Sequence, residues 1–288
     1  MNNPDVKQQV RTFYDQVGWK TIGEGVYQNA RYEDLRPVSR EYIHRCHLRV
    51  NRFLRNSGDL LLDAGSGPVQ YPEYLTYSEK YTHRVCLDIS MLALKEARNR
   101  IGDHGLYVVA DVANLPFKPN TFDGLVSLHT LHHLPLADQK KTYMEFLRVM
   151  KPDSSAVVVN GWTDSPLMRT ARPFILFMER LGKLISGQHE EDKETVLKSA
   201  CFGVEPPHKE PTGTFIKKFN PEWLKTEIAP LAKYEIFCWR SVNVRYLRAI
   251  VHAALGGKLY LKLLYRLEEW FPKFYGEKGQ YPLIVLHK

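Results

Sequence analysis

Asp63, Gly65, Ser66 and Gly67 follow one another at the end of a short apolar run, LLLDAGSGP. Glycines at positions 65 and 67 can take positive φ and carry no Cβ, so a ligand can lie directly against the backbone there. Asp88 comes 21 residues after Gly67, at the end of the next apolar run, RVCLDIS. A carboxylate so placed can accept hydrogen bonds from two ribose hydroxyls. It can also cap the helix that MLALKEARNRI should form, since Asp-x-Ser is good capping chemistry. A third run, LYVVADV, ends at Asp111-Val112. A short side-chain oxygen beside a backbone amide can read the amino edge of an adenine, or simply close a strand-end turn.

A fourth run, FDGLVSLHT, ends near His129 and is followed by His132 and His133. Imidazole exchanges a proton near neutral pH, so His132 and His133 are the candidates for a general base. His-His-Leu also serves as plain packing or turn structure. A nicotinamide fingerprint would need a third glycine, but Gln70 stands there and Pro68 follows Gly67 directly.

These positions need a scaffold that brings strand ends together. The four runs, with a fifth, SAVVVNGW, alternate with helix-like segments such as ADQKKTYMEFLRVM. Short apolar strands alternating with helices indicate βαβ units and a parallel sheet buried on both faces. Residues 5–18 and 38–56 read as helices ahead of the sheet. Arg45, Arg49 and Arg52 form a stripe that reads as a solvated face or a guide for an anionic partner. Arg31, Arg36 and Arg40 read as surface residues able to meet a carboxylate or phosphate.

From residue 163 the alternation stops. SPLMRTARPFILFMERLGKLI has apolar residues at 167, 171, 174, 178, 181 and 185, which predicts an amphipathic helix kinked or started by Pro173. Its arginines and phenylalanines suit a lid helix, a membrane surface or a lipid-like acceptor. HEEDKE reads as a polar loop and PPHKEPTG as a second loop. The alternation resumes with NPEWLKTEIAPLA as a helix capped by Asn220, then YEIFCWRSV and YPLIVLHK as strands around a helical stretch, 246–271.

The strand-D-x-G-x-G turn, the strand-end Asp88, the Asp-x-x-x-LPF segment, the FD-strand-LHHL segment and the RVMKP turn together resemble the class I AdoMet-dependent methyltransferases. The small-molecule branch called methyltransferase type 11 is the nearest match, over residues 59–162. The resemblance implies an α/β, Rossmann-like, seven-stranded mostly parallel sheet with helices on both faces and a helical lid insertion. It implies S-adenosylmethionine as cofactor. Asp63, Gly65, Ser66 and Gly67 would hold the methionine portion. Asp88 would bind the ribose, with Ile89 packed on the adenine. Asp111 and Val112 would read the adenine edge, and the backbone near His129 would touch the methionine amino group. Tyr14 and Trp19 belong to an N-terminal segment that would fold over the cofactor or pack on the core. The expected division is 1–58 as an N-terminal helical segment, 59–162 with 219–288 as the methyltransferase domain, and 163–218 as the acceptor-side lid.

Composition sets the remaining bounds. The 288 residues are 44% hydrophobic and 25% charged, enough to fill a sizeable core. A net charge of +8 permits attraction to nucleic acid, an anionic membrane or an acidic small molecule. No appended RNA-binding motif accompanies it, so the expected acceptor is a small molecule (a natural product, a sugar intermediate, or a lipid or isoprenoid), the alternatives being an RNA or protein methyltransferase or a non-catalytic AdoMet-binding module, with peripheral membrane contact open. Cys46, Cys86, Cys201 and Cys238 are widely spaced, so no metal site is expected and a reduced, cytoplasmic setting fits best. No apolar stretch reaches the ~20 residues of a bilayer span, and the N-terminus lacks the apolar core of a signal peptide.

Overall fold

Successive apolar runs become strands because their β-branched and leucine side chains fill two faces of a sheet at once. The computed structural model describes residues 3–19, 21–23, 26–27, 33–186 and 214–288. Helix α1 (Asn3–Phe13) runs into a π-helical turn, Tyr14–Gly18, and a small hairpin of β1 (Thr21–Gly23) and β2 (Val26–Tyr27) follows. Helix α2 spans Arg40–Leu48. The alternating part comprises β3 (Gly58–Ala64), α3 (Pro72–Leu75), β4 (Tyr81–Asp88), α4 (Met91–Ile101), β5 (Gly105–Val109), β6 (Gly124–Leu128), α5 (Leu136–Val149) and β7 (Ser155–Val159). Then come α6 (Pro166–Ser186), α7 (Pro221–Glu227), β8 (Tyr234–Arg240), α8 (Val244–Ile250), α9 (Gly257–Trp270), α10 (Pro272–Lys278) and β9 (Tyr281–His287).

Seven strands form one sheet in the order β5-β4-β3-β6-β7-β9-β8. β9 runs antiparallel to both of its neighbours, β7 and β8, and the other pairings are parallel. The expected Rossmann-like, mostly parallel seven-stranded sheet is therefore present. Its register sorts the core into two layers. Val85, Leu62, Leu125, Ala156 and Leu286 lie in one row across neighbouring strands and pack under α5 and α7 through Tyr143, Phe146, Leu224 and Ile228. The adjacent row, Cys86, Asp63, Val126, Val157 and Val285, faces Tyr74, Tyr77, Leu94 and Ala97 on the opposite side. Each fully buried aliphatic side chain contributes about 1.5–3 kcal/mol.

The strand order reverses at β3, since β4 and β5 lie to one side and β6 onward to the other. Open α/β sheets bind ligands in the crevice at such a point, beyond the carboxyl ends of the strands. β8 runs with the parallel strands, so its last residue, Arg240, reaches the same edge. β9 runs against them, so its first residue, Tyr281, does too.

Three local expectations are corrected. The helix predicted over 38–56 ends at Leu48 and continues as a 3-10 turn, Arg49–Phe53. Of the stripe read as solvated, Arg45 and Arg52 are exposed, with Arg52 paired to Glu269 and Arg45 over the Tyr265 ring, whereas Arg49 is buried and pairs with Glu268 and Glu269. These arginines dock α9 onto α2. The stretch 246–271 is broken between α8 and α9, where Gly256 turns the chain at φ +73°.

Helix α6 forms and carries Pro173 in its interior rather than at its start. Its apolar residues face differently from the expectation. Ile175 is buried, whereas Phe174, Phe177, Leu181 and Leu184 are exposed among the described residues. The helix docks on α8, with Glu179 paired to Arg245. HEEDKE and PPHKEPTG lie outside the described residues, as do Cys201 and Arg31. Arg36 spends its charge on Asp34 two residues away. No described helix is long and apolar enough to cross a membrane.

Candidate active site

A cavity of about 550 Å³ opens along the carboxyl edge of the sheet. It runs from Asp111 past Asp88, Gly65 and His129 to Gly161, Tyr281 and Arg240. Gly65, Ser66, Gly67, Asp88, Ile89, Asp111, Val112, His129, His132 and His133 all line it. The ends of β3, β4, β5 and β6, separated by tens of residues in sequence, thus meet at one surface.

The glycine turn is built for close approach. Gly65 sits at φ +80°, and a Cβ there would come within 2.3 Å of the Thr130 side chain. Gly67 sits at φ +54°, with the Trp19 ring 3.0 Å from where its Cβ would be. Ser66 donates its backbone N–H to the Leu87 carbonyl, as Gly65 does, which pins the turn to β4.

Asp88 completes the turn. One carboxylate oxygen accepts the Gly67 N–H at 2.9 Å and the other accepts the Ser90 N–H at 2.9 Å. Each oxygen keeps a second lone pair for a ligand hydroxyl. Capping of α4 falls to Ser90, whose hydroxyl accepts from Ala93 N–H. Burial pushes the Asp88 carboxyl up to about 6, against the two backbone donors that favour its charge. The folded-state value thus lies above that of the unfolded chain. The penalty of holding the charge is present above about pH 6 and is relieved as pH falls through that value. Ligand affinity should move the other way if two hydroxyls need the ionised form. Calorimetry with S-adenosylhomocysteine should show affinity falling several-fold between pH 7.5 and 5, a window in which that ligand's own amino-acid charges do not change. A flat profile would detach Asp88 from the ligand.

Asp111 is held by its neighbours as well as facing the cavity. Lys7 on α1 donates to it at 2.6 Å and also pairs with Asp138 at 3.0 Å. Ala113 N–H and the Asn114 amide donate to its two oxygens. The charge of Lys7 and these donors hold the Asp111 carboxyl below its usual range in spite of burial. The link ties α1 across the mouth of the site. Tyr14 and Trp19 stack at 4.9 Å between ring centroids and line the cavity, so the N-terminal segment does fold over the glycine turn.

His129 sits in the left-handed region at φ +57°, its N–H bonded to the Val159 carbonyl at 2.7 Å. Its ring packs edge-on to Trp239, and burial beside Arg240 pushes it down to about 3. His133 has both nitrogens engaged. Its Nε2 lies 2.8 Å from the Tyr14 hydroxyl and its Nδ1 lies 2.9 Å from the Phe215 carbonyl. The carbonyl can only accept, so Nδ1 carries the proton, and Nε2 accepts from Tyr14. His133 is thereby a fixed bridge between the N-terminal segment and residue 215, with no nitrogen left for an acceptor. His132 offers Nδ1 to the Asn160 side chain at 3.3 Å, which leaves Nε2 for a ligand. Burial, with His133, His129 and Lys218 nearby, lowers it well below the ordinary histidine range. It can accept a hydrogen bond but holds a proton poorly near pH 7.

Asp63 alone among the expected site residues does not line the cavity. It points into the second core layer, where Arg84 Nε donates to it at 3.1 Å and Arg84 Nη2 closes the pair. Residues that the sequence did not single out do line it: Lys7, Tyr71, Thr130, Lys218, Trp239, Arg240 and Tyr281 among them. Strand-end reasoning applied to β8 and β9 would have found the last three. Lys7 and Lys218 carry no local signal.

Residues 62–158 match the family described as Methyltransferase domain. A tRNA (carboxymethyluridine(34)-5-O)-methyltransferase of Arabidopsis thaliana is 30% identical over 143 residues, covering 43% of this chain and 33% of that protein. A ubiquinone/menaquinone biosynthesis C-methyltransferase of Agrobacterium fabrum is 29% identical over 161 residues, covering 53% of this chain and 60% of that protein. The matched stretch thus spans about a third of the length of the tRNA enzyme. Among solved structures, a phosphoethanolamine N-methyltransferase of Haemonchus contortus, in complex with phosphoethanolamine and S-adenosylhomocysteine, superposes with a TM-score of 0.55. It is 8% identical and covers 99% of this chain and 50% of that chain.

Proposed function

We propose that this chain, which carries a methyltransferase domain on the class I methyltransferase fold, is an S-adenosylmethionine-dependent methyltransferase acting on a small-molecule acceptor. One observation carries the reading: the glycine turn, Asp88 and Asp111 line a single cavity in the order in which a nucleoside with an amino-acid tail would meet them. The site fits that group in shape as well. Gly65 and Gly67, at φ +80° and +54°, line the cavity with bare backbone, and Asp88 keeps a second lone pair on each oxygen beyond its backbone donors.

The roles follow the geometry. Gly65, Ser66 and Gly67 lie against the methionine portion, with the backbone near His129 beside its amino group. Asp88 accepts the ribose hydroxyls, Ile89 and Val112 pack on the adenine, and Asp111 faces its amino edge. The cofactor supplies a sulfonium whose methyl is already activated, so the chain's work is alignment and exclusion of water. Tyr14, Trp19 and the Lys7–Asp111 link cover the nucleoside half. Of the segment assigned as the acceptor-side lid, 163–218, the described residues Thr214, Ile216 and Lys218 line the cavity wall. Where a proton must leave the acceptor, His132 Nε2 is the available nitrogen and His133 positions Tyr14. The described cysteines are buried free thiols, which supports a reducing, cytoplasmic setting.

The basic charge and the tRNA-modifying relatives support a second reading, methylation of RNA. Incubating the protein with methyl-labelled S-adenosylmethionine and a cell extract separates the two. Label is expected in the small-molecule fraction. Label confined to RNA would replace the acceptor class, and failure of S-adenosylhomocysteine to bind at submillimolar concentration would remove both readings.

A further inference from the structure

The half of the cavity that the nucleoside does not need has a chemistry of its own. It lies beyond β6, at the ends of β7, β9 and β8. Lys218 lines it, close to Gly161: a Cβ on that glycine would come 3.2 Å from the ammonium. Among the described residues no carboxylate pairs with Lys218, and burial lowers its affinity for a proton without any acid to oppose it. Arg240, by contrast, is neutralised. It pairs with Glu33, which also reaches His47.

Further unmet donors gather at the same wall. The Nε1 of Trp239 and the Nε of Arg240 are buried with no hydrogen-bond partner among the described residues, and so is the hydroxyl of Thr214. Trp239 is 1% exposed and Arg240 2% exposed, so these donors are closed off within the wall, and Lys218 is left as the group that meets the cavity. A buried donor left unmet is costly, and a charged one more so. Aromatic faces complete the wall. Arg240 lies 4.8 Å over the Tyr281 ring, Trp239 meets Tyr281 edge-on at 5.8 Å, and Tyr71 stands opposite on the cavity lining.

We infer that the acceptor is a planar, apolar molecule bearing one carboxylate, seated with that carboxylate on Lys218. The charge count sets the monoanion. Among the described residues lining this half, Lys218 has no carboxylate partner and Arg240 is balanced by Glu33, so a dianionic phosphate would leave a negative charge uncompensated. The inference rests on the proposed methyltransferase reading, since it assigns the nucleoside half to the cofactor.

The test uses the full chain saturated with S-adenosylhomocysteine, with benzoate, phenyl phosphate and benzyl alcohol as probes in ligand-observed NMR titrations. Benzoate is expected to bind at least tenfold more tightly than benzyl alcohol. Lys218→Met should abolish that preference, Lys218→Arg should restore it, and S-adenosylhomocysteine affinity should stay within twofold throughout. Removing an unpaired buried cation should also leave Lys218→Met at least as stable as the parent. Equal binding of benzoate and benzyl alcohol would overturn the anion site. Tighter binding of phenyl phosphate than benzoate would overturn the monoanion. A tenfold loss of S-adenosylhomocysteine affinity in Lys218→Met would reassign the lysine to the cofactor's own carboxylate. If S-adenosylhomocysteine does not bind at all, the parent reading fails, and the same comparison on the ligand-free protein still decides this one.

Discussion

Asp88→Ala is expected to weaken S-adenosylhomocysteine binding roughly a hundredfold while leaving the fold in place. Two hydrogen bonds to a charged acceptor are at stake, each worth about 1.5–3 kcal/mol. Part of that is offset, because the ionised carboxylate is itself held at a cost above pH 6, as its raised value shows. A net loss of about 3 kcal/mol corresponds to about two decades of affinity. The fold should tolerate the change for the same reason. Alanine removes an expensive buried charge, although it strips Gly67 N–H and Ser90 N–H of their acceptor. Asp88→Asn keeps one oxygen and should fall between the two. Calorimetry gives the affinity and circular dichroism the fold. Undiminished affinity in a folded Asp88→Ala protein would take away the ribose assignment and, with it, the order in which the cavity is read.

Much of this site was legible because its parts are strand ends. Glycines at 65 and 67 and acids at 88 and 111 each close an apolar run, and a parallel sheet must bring such ends to one edge. What spacing could not supply is side-chain direction. A strand alternates its faces residue by residue, so Asp63, two positions before Gly65, lands in the core row with Cys86, Val126 and Val157 instead of at the edge. Nor does a sequence show which distant charge answers which. Lys7 reaches Asp111 across 104 residues, and Glu33 reaches Arg240 across 207. Arg49, in the 3-10 turn after α2, misled for the same reason, since its partners Glu268 and Glu269 sit near the far end of the chain. Helix α6 was found from its periodicity, yet its face was misassigned. An amphipathic pattern names a stripe without naming the surface that will cover it.

Asp63 separates a role implied by resemblance from one built by packing, and its substitution should have the largest effect on stability. Its carboxylate is buried against Arg84, which is 1% exposed and also donates to the Tyr74 carbonyl. Burial raises the Asp63 carboxyl even with the guanidinium beside it, so desolvation outweighs the attraction of the pair. Such a pair contributes little net stability, but breaking it strands a buried charge at about 3–5 kcal/mol. Asp63→Ala is therefore expected to lose most of the chain's stability in urea denaturation. Asp63→Leu combined with Arg84→Met should recover the greater part of that loss, because no charge is then stranded in the row between Cys86 and Val126. The double variant also settles what Asp63 does for the ligand. If the residue acts only by supporting β3 beneath the glycine turn, the stable double variant should bind S-adenosylhomocysteine within about threefold of the parent. A well-folded double variant that has lost ten times that affinity would mean that the carboxylate reaches the ligand after all, and that the turn swings toward it on binding.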